Sequence, residues 1–144
     1  MRTSTPKPSA PQWVLIDAEG KLLGRVAPKA SMVLRGKHRA DYSPHQISGD
    51  HVIIINAGKL KMNQAKFLRK TYFKHSGYLG HLRATPLGVM MEKRPTEVIE
   101  KAIFGMLPDN RLRAKALKRL HVYASAEHDH TAQQPKSLSL SRTS

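Results

Sequence analysis

The stretch Lys74 to His81, KHSGYLGH, gathers an ammonium, two imidazoles, a hydroxyl and a phenol around two glycines, with no acid among them. Those groups donate hydrogen bonds to phosphate or 2'-hydroxyl oxygens. Glycine lets a backbone come close to a ligand, and Tyr78, flanked by Gly77 and Gly80, does not belong to a regular apolar face. The stretch lies inside an acid-free run from His51 to Met91 that carries Lys59, Lys61, Lys66, Arg69, Lys70, Lys74 and Arg83. An uninterrupted cationic surface lowers the free energy of phosphate approach, and each neutralised phosphate releases counterions. Phe67, Tyr72, Phe73 and Tyr78 are interleaved with these cations. Exposed rings stack on bases, but aromatics at this density belong first to cores, and Phe67 and Phe73 are assigned there.

Other chemistry fares less well. GKLLGR, Gly20 to Arg25, has glycines between a strand and a helix but lacks the Gly-Lys-Ser/Thr ending of a phosphate loop and the three glycines of a dinucleotide fingerprint. Its glycines read as a turn and close strand-to-helix packing. EHDH, Glu127 to His130, is the densest set of metal-ligand types, yet no second cluster stands at the spacing of a closed zinc site. No Gly-x-Ser-x-Gly elbow is present. On the residues alone a general nucleic-acid-binding protein and a metal-dependent phosphoesterase built on the histidines and Asp129 both stay open.

These groups need a scaffold, and 144 residues with 40% hydrophobic side chains suffice for one domain. A net charge of +15 opposes compaction unless a polyanion offsets it. The charge is spread along the chain instead of flanking one amphipathic helix, which favours nucleic acid over a membrane surface. With no cysteine there is no disulfide and no thiolate zinc site. No apolar run reaches the roughly 18 residues of a membrane span, so a cytoplasmic protein is expected. Arg2 to Pro11 is Ser/Thr/Pro-rich and reads as a disordered extension.

Folded structure is expected from WVLID, a strand. Val26, Ala27, Ala30, Val33 and Leu34 then fall at helical spacing, with Gly36 as C-terminal cap, Pro28 tolerated in a first turn, and Arg25, Lys29, Arg35 and Lys37 off the stripe. HVIIIN reads as a strand buried on both faces, completing a right-handed βαβ unit. Lys59 to Met62 alternates as a short strand. Thr85 and Thr96 read as N-caps of two helices, the second burying Val98, Ile99, Ala102, Ile103 and Met106. A last helix directs Leu112, Ala116, Leu117 and Leu120 inward and leaves Arg111, Arg113, Lys115, Lys118 and Arg119 outside. HVYA adds a strand, and from Ser125 onward the chain is polar without core signal. The division expected is a flexible extension over 1–11, an α/β domain over 12–124 and an extended tail over 125–144.

Taken together and in order, LLGRVA, LRGKHRADYSPH, GDHVIIINA, YFKHSGYLG, VIEKAIFGMLPDNRL and LHVYASAEHDHTAQQP resemble the bacterial form of the large-subunit ribosomal protein L13 family, over Trp13 to Pro135. The resemblance implies a three-layer α/β/α domain around a small, mainly parallel sheet with basic terminal extensions. It further implies binding to large-subunit ribosomal RNA, a part in early subunit assembly, neighbouring large-subunit ribosomal proteins as partners, and no catalysis, cofactor, metal or small-molecule substrate. By position, the family's RGKH matches Arg35 to His38, its HSGY matches His75 to Tyr78, its NRL and basic helix match Asn110 to Arg119, and its AxxEHxH tail matches Ala124 to His130 as an extended contact segment. The chain departs from the family at Leu79 and His81, where proline and a second glycine are usual, and at Arg113, where glycine is usual. Residues and resemblance together nominate Arg25, Lys29, Lys37, His38, Lys70, Tyr72, Lys74, His75, Ser76, Tyr78, Asn110, Arg111, Arg113, Lys115, Lys118 and Arg119 as the RNA-binding set.

Overall fold

A computed structural model describes residues 7–140. Strand β1 (Trp13–Asp17) and strand β2 (His51–Ile55) pair in parallel, Trp13 beside His51 and Asp17 beside Ile55. Helix α1 (Leu23–Arg35) joins them and buries all five stripe residues, Val26, Ala27, Ala30, Val33 and Leu34. Its end is set by backbone contact. Gly36 takes the left-handed conformation at φ 83°, and its N–H donates to the carbonyls of Met32 and Val33. A Cβ on Gly36 would stand 2.6 Å from the Ser48 carbonyl carbon, and one on Gly49 would stand 1.8 Å from the Leu34 oxygen. Only glycines let the chain entering β2 lie against the end of α1.

A short 3-10 turn (Ala57–Lys59) follows β2, then helix α2 (Gln64–Arg69), an antiparallel hairpin of β3 (Thr71–His75) and β4 (Leu82–Pro86), helix α3 (Leu87–Lys93) and helix α4 (Pro95–Met106). Helix α5 (Leu112–Leu117) and strand β5 (Leu120–Val122) come next, and β6 (Lys136–Ser137) ends the order. The main sheet runs β5-β2-β1-β6 and every pairing in it is parallel. Its order explains the layers. Right-handed crossovers from β1 to β2 and from β2 to β5 progress in one direction and put α1, α4 and α5 on one face, where Ile16, Val52 and Ile54 meet Ile99, Ile103 and Ala116. The return from β5 to β6 reverses direction, so the same handedness lays the chain beyond Val122 across the opposite face. Three layers about a parallel sheet result, consistent with the expected α/β/α class, with irregular chain in place of helix in the second outer layer.

Burial of large side chains such as Leu34, Ile54, Ile99 and Ile103 is complete, each contributing about 1.5 to 3 kcal/mol of apolar transfer. At the carboxyl ends of β1 and β2, Asn56 Nδ2 donates to Asp17 at 2.8 Å, from a left-handed backbone that asparagine tolerates. This hydrogen bond, more than any other cause, holds the Asp17 carboxyl below its ordinary range.

Several sequence expectations need correction. Pro28 lies in the second turn of α1, not the first. The carbonyl it leaves without a helical donor is that of Gly24, which is exposed and open to water. Lys59 to Met62 forms one isolated bridge, Leu22 to Lys61, instead of a strand, because Ala57–Lys59 coils first. Thr85 pairs with Tyr72 inside β4 and Pro86 is the residue before α3. Helix α4 starts one residue earlier than Thr96, since the fixed φ of Pro95 suits a first helical position. Met106 is 47% exposed, beyond the reach of the core at the helix end. The hairpin itself is absent from the sequence reading. So is β6: Leu138 donates its N–H to the Leu15 carbonyl at 2.8 Å, and Leu138 and Leu140 pack on the core, so the final stretch has core contact after all.

Candidate nucleic-acid interface

Helix α1 has 13 residues, hence is about 20 Å long, and the nominated residues divide between its ends. Near the N-terminal end, Arg25 lines a cleft with Lys21 and Lys61, and an adjoining cleft takes in Lys66 and Lys70. Beyond them the hairpin carries Lys74, His75, Ser76 and Tyr78, all exposed. Near the C-terminal end, Arg35 and Tyr42 share a small groove with Asn110, Leu112 and Arg113, which sets Lys37 and His38 on the side of α5. Arg111, Lys115 and Lys118 are exposed there, and Lys29 is exposed on α1 between the two groups.

Besides Lys70, whose ammonium lies over the Tyr72 ring, and His75, whose Nδ1 accepts the Gly77 N–H, five of the nominated side chains are engaged within the protein. His38 Nε2 lies 2.8 Å from the buried Asp50 carboxylate, which also takes the Arg39 guanidinium and, at 2.7 Å, the Gln12 N–H. Arg39 in turn donates to the Ser9 and Ala10 carbonyls, so Asp50 is the hub that ties the chain before β1 to the α1–β2 connection. Tyr72 is half-buried against Leu87, Met90 and Val98, with the Lys70 and Lys101 ammoniums 4.9 and 5.1 Å from its ring. Asn110 Oδ1 accepts the Leu112 and Arg113 N–H groups at 3.1 Å each, capping the first turn of α5. Arg113 donates to the Pro108 and Leu107 carbonyls, pairs with Asp109 at 3.2 Å and covers the Phe104 ring. Arg119 donates to the Gly49 carbonyl. These five position the cationic elements.

Phe73, expected in the core, is 65% exposed. Alternation along β3 explains why: Tyr72 faces the domain, so its neighbour faces away, together with Leu82 and Ala84 on β4. Phe67 is 39% exposed, its ring lying over Gly88. At the hairpin tip Gly77 and Gly80 have φ of 94° and 76°, His75 Nδ1 accepts the Gly77 N–H, and Leu79, a departure from the family pattern, is 99% exposed. Lys61 and Lys66 stand in the acid-free run but not in the nominated RNA-binding set. Their signal was the acid-free run itself, but only the fold shows that they border a cleft.

Electrostatics favour an anionic partner because six of the ten acids are held by partners within the protein. Asp17, Asp41 and Asp50 accept internal hydrogen bonds, and Glu19, Glu97 and Asp109 pair with Lys59, Lys101 and Arg113. Among the described residues no ion pair involves Arg25, Lys29, Lys37, Lys61, Lys66, Lys70, Lys74, Arg111, Lys115 or Lys118.

The histidine-rich tail packs inward. Trp13 stacks on His51 at 4.2 Å and on His121 at 5.4 Å, and His130 closes over Trp13 at 4.7 Å. Burial lowers the pKa of both His51 and His121, aided by Arg119 at the first and by His130 and His51 at the second. No group of three or more His, Cys, Asp or Glu among the described residues is arranged to hold a metal ion, and no helix among them is long and apolar enough to cross a membrane.

The fold is thus a basic α/β domain with unpaired cations on a hairpin and near the ends of α1. The family model for ribosomal protein L13 matches residues 11–129. Large ribosomal subunit protein uL13 of Kocuria rhizophila is 51% identical over 138 residues, 94% of this chain and 94% of its own length. The uL13 proteins of Thermus thermophilus and Gemmatimonas aurantiaca are 47% and 46% identical, over 96% of this chain in each case and 99% and 94% of their own lengths. The chain therefore belongs to the ribosomal protein L13 family, and its role is structural, in the ribosome, not enzymatic.

Proposed function

We propose that the protein binds large-subunit ribosomal RNA in the cytoplasmic ribosome and supports early assembly of that subunit, neutralising RNA segments that would otherwise repel one another. The observation that carries this reading is the set of exposed, unpaired cations at both ends of α1. Two cationic groups about a helix length apart suit two RNA segments held at a fixed distance. The contact residues are Arg25, Lys29, Lys37, Lys70, Lys74, His75, Ser76, Tyr78, Arg111, Lys115 and Lys118, with His38, Tyr72, Asn110, Arg113 and Arg119 acting through the elements they hold. Exposed apolar side chains on and beside the hairpin, Leu68, Phe73 and Leu82, suit a neighbouring large-subunit protein. The test is binding to large-subunit ribosomal RNA against excess transfer RNA at low and physiological salt. Saturable binding that survives the competitor supports a specific site, whereas loss to transfer RNA would leave only unselective charge.

A further inference from the structure

The cleft beside the N-terminal end of α1 has features that phosphate contact alone does not require. It measures about 480 Å³, within the roughly 300 to 1,000 Å³ of sites that take small organic groups. Leu22, Met62, Leu87 and Met106 line it, and Lys61, Lys66 and Lys70 border it. It shares Leu22, Lys61 and Met62 with a neighbouring cleft that adds Lys21 and Arg25. Among the described residues no acid lines either one. Lys101 also borders the cleft but is occupied by Glu97 at 3.0 Å. The walls open at two glycines, Gly24 on α1 and Gly105 on α4, where an added Cβ would meet nothing within 4 Å.

We propose that this cleft holds a single unstacked nucleotide of the bound RNA, its base on the apolar floor and its flanking phosphates on Lys61, Lys66 and Lys70. The inference rests on the RNA-binding reading above and names the element of RNA that this end of the domain takes. A paired duplex presents a phosphate ridge, which engages the rim but leaves the floor empty. A base swung out of a bulge or loop fills both, and sequence-selective RNA recognition works on such bases. Asn63, also in the lining, spends Oδ1 on the Ala65 N–H at 3.1 Å, which leaves its Nδ2 donors for a base edge. The free cations continue from the rim onto Arg69, Lys74 and Arg83, a track for the strand on either side of that nucleotide.

Gly105→Leu tests the proposal without touching a cation. The position is helical and exposed, its added side chain enters open space, and leucine favours a helix over glycine. Full-length protein is titrated at physiological salt with a short RNA duplex carrying one bulged adenosine, and with the same duplex fully paired. The expected result is about tenfold tighter binding of the bulged RNA by the unaltered protein, the scale of burying about 55 Å² of apolar surface on the floor, and loss of that preference in Gly105→Leu. Affinity for the paired duplex and its salt dependence remain unchanged in the variant. Equal affinity for the two RNAs, or a preference that persists in Gly105→Leu, overturns the cleft assignment while leaving ribosomal RNA binding intact. Failure to bind either RNA overturns the cleft assignment, whereas the ribosomal RNA reading is decided by its own titration against transfer RNA. Adenosine monophosphate alone, binding at micromolar concentration and lost in Gly105→Leu, would identify a free-nucleotide site and overturn the assignment to RNA.

Discussion

Replacing Asp50 by asparagine should destabilise the fold far more than an average surface change, because the carboxylate is the shared acceptor of four donors. Its side chain is 3% exposed and that of Arg39 is 10% exposed. The donors are Gln12 N–H, Arg39 through Nε and a terminal nitrogen, and His38 through Nε2. Asparagine keeps one oxygen and turns the other into an N–H₂ that faces donors, leaving the Arg39 charge buried without its counterion. Breaking a buried pair from one side costs about 3 to 5 kcal/mol. With a urea dependence of about 2 kcal/mol per molar for a domain of this size, the midpoint should fall by about 1.5 to 2.5 M. Urea unfolding followed by Trp13 fluorescence reads this directly, since Trp13 stacks on His51 next to the hub. An Arg39→Gln variant and the double variant complete a cycle in which the coupling should exceed about 1.5 kcal/mol. A midpoint shift below about 0.5 M, or additive single losses, would refute the idea that Asp50 and Arg39 form one stabilising unit.

Gly49→Ala should lower stability by several kcal/mol or prevent folding, because the new methyl would stand 1.8 Å from the Leu34 oxygen; thermal melting checks it, and a loss under about 1 kcal/mol would contradict the packing described. Arg119→Ala should cost about 1 to 3 kcal/mol through its hydrogen bond to the buried Gly49 carbonyl, whereas Lys115→Ala with Lys118→Ala should leave stability unchanged and reduce the salt slope of RNA binding by about 1 to 2. The reverse pattern in urea and salt titrations would exchange their roles. His51 and His121 have folded pKa values below the ordinary value of about 6.5, so the unfolded chain binds more protons as pH falls below that value. Stability is therefore present above pH about 6.5 and lost on acidification below it. Melting temperatures between pH 7.5 and 5 measure the slope, and His121→Gln should flatten it; an unaltered slope would assign the loss to other groups.

Local patterns in the chain settled the βαβ unit: five apolar positions at helical spacing, a glycine cap and a run of β-branched residues each point to one structure without help from distant residues. The same is true of the charge balance and of the family pattern, which identify a basic ribosomal protein. The tertiary structure decided what depends on neighbours. Whether a strand of the hairpin faces inward at Tyr72 or at Phe73 is fixed by which face meets Leu87 and Val98, and both residues look alike in sequence. The final strand β6 is two residues long, too short for any periodicity, and exists because the edge of β1 offers it a ladder. Free and occupied cations are also indistinguishable along the chain: Arg113 and Arg119 read like Lys115 and Lys118, but their guanidinium groups meet carbonyls that only folding brings within reach. Residue type gives charge locally, whereas the availability of that charge to a partner is a property of three-dimensional packing.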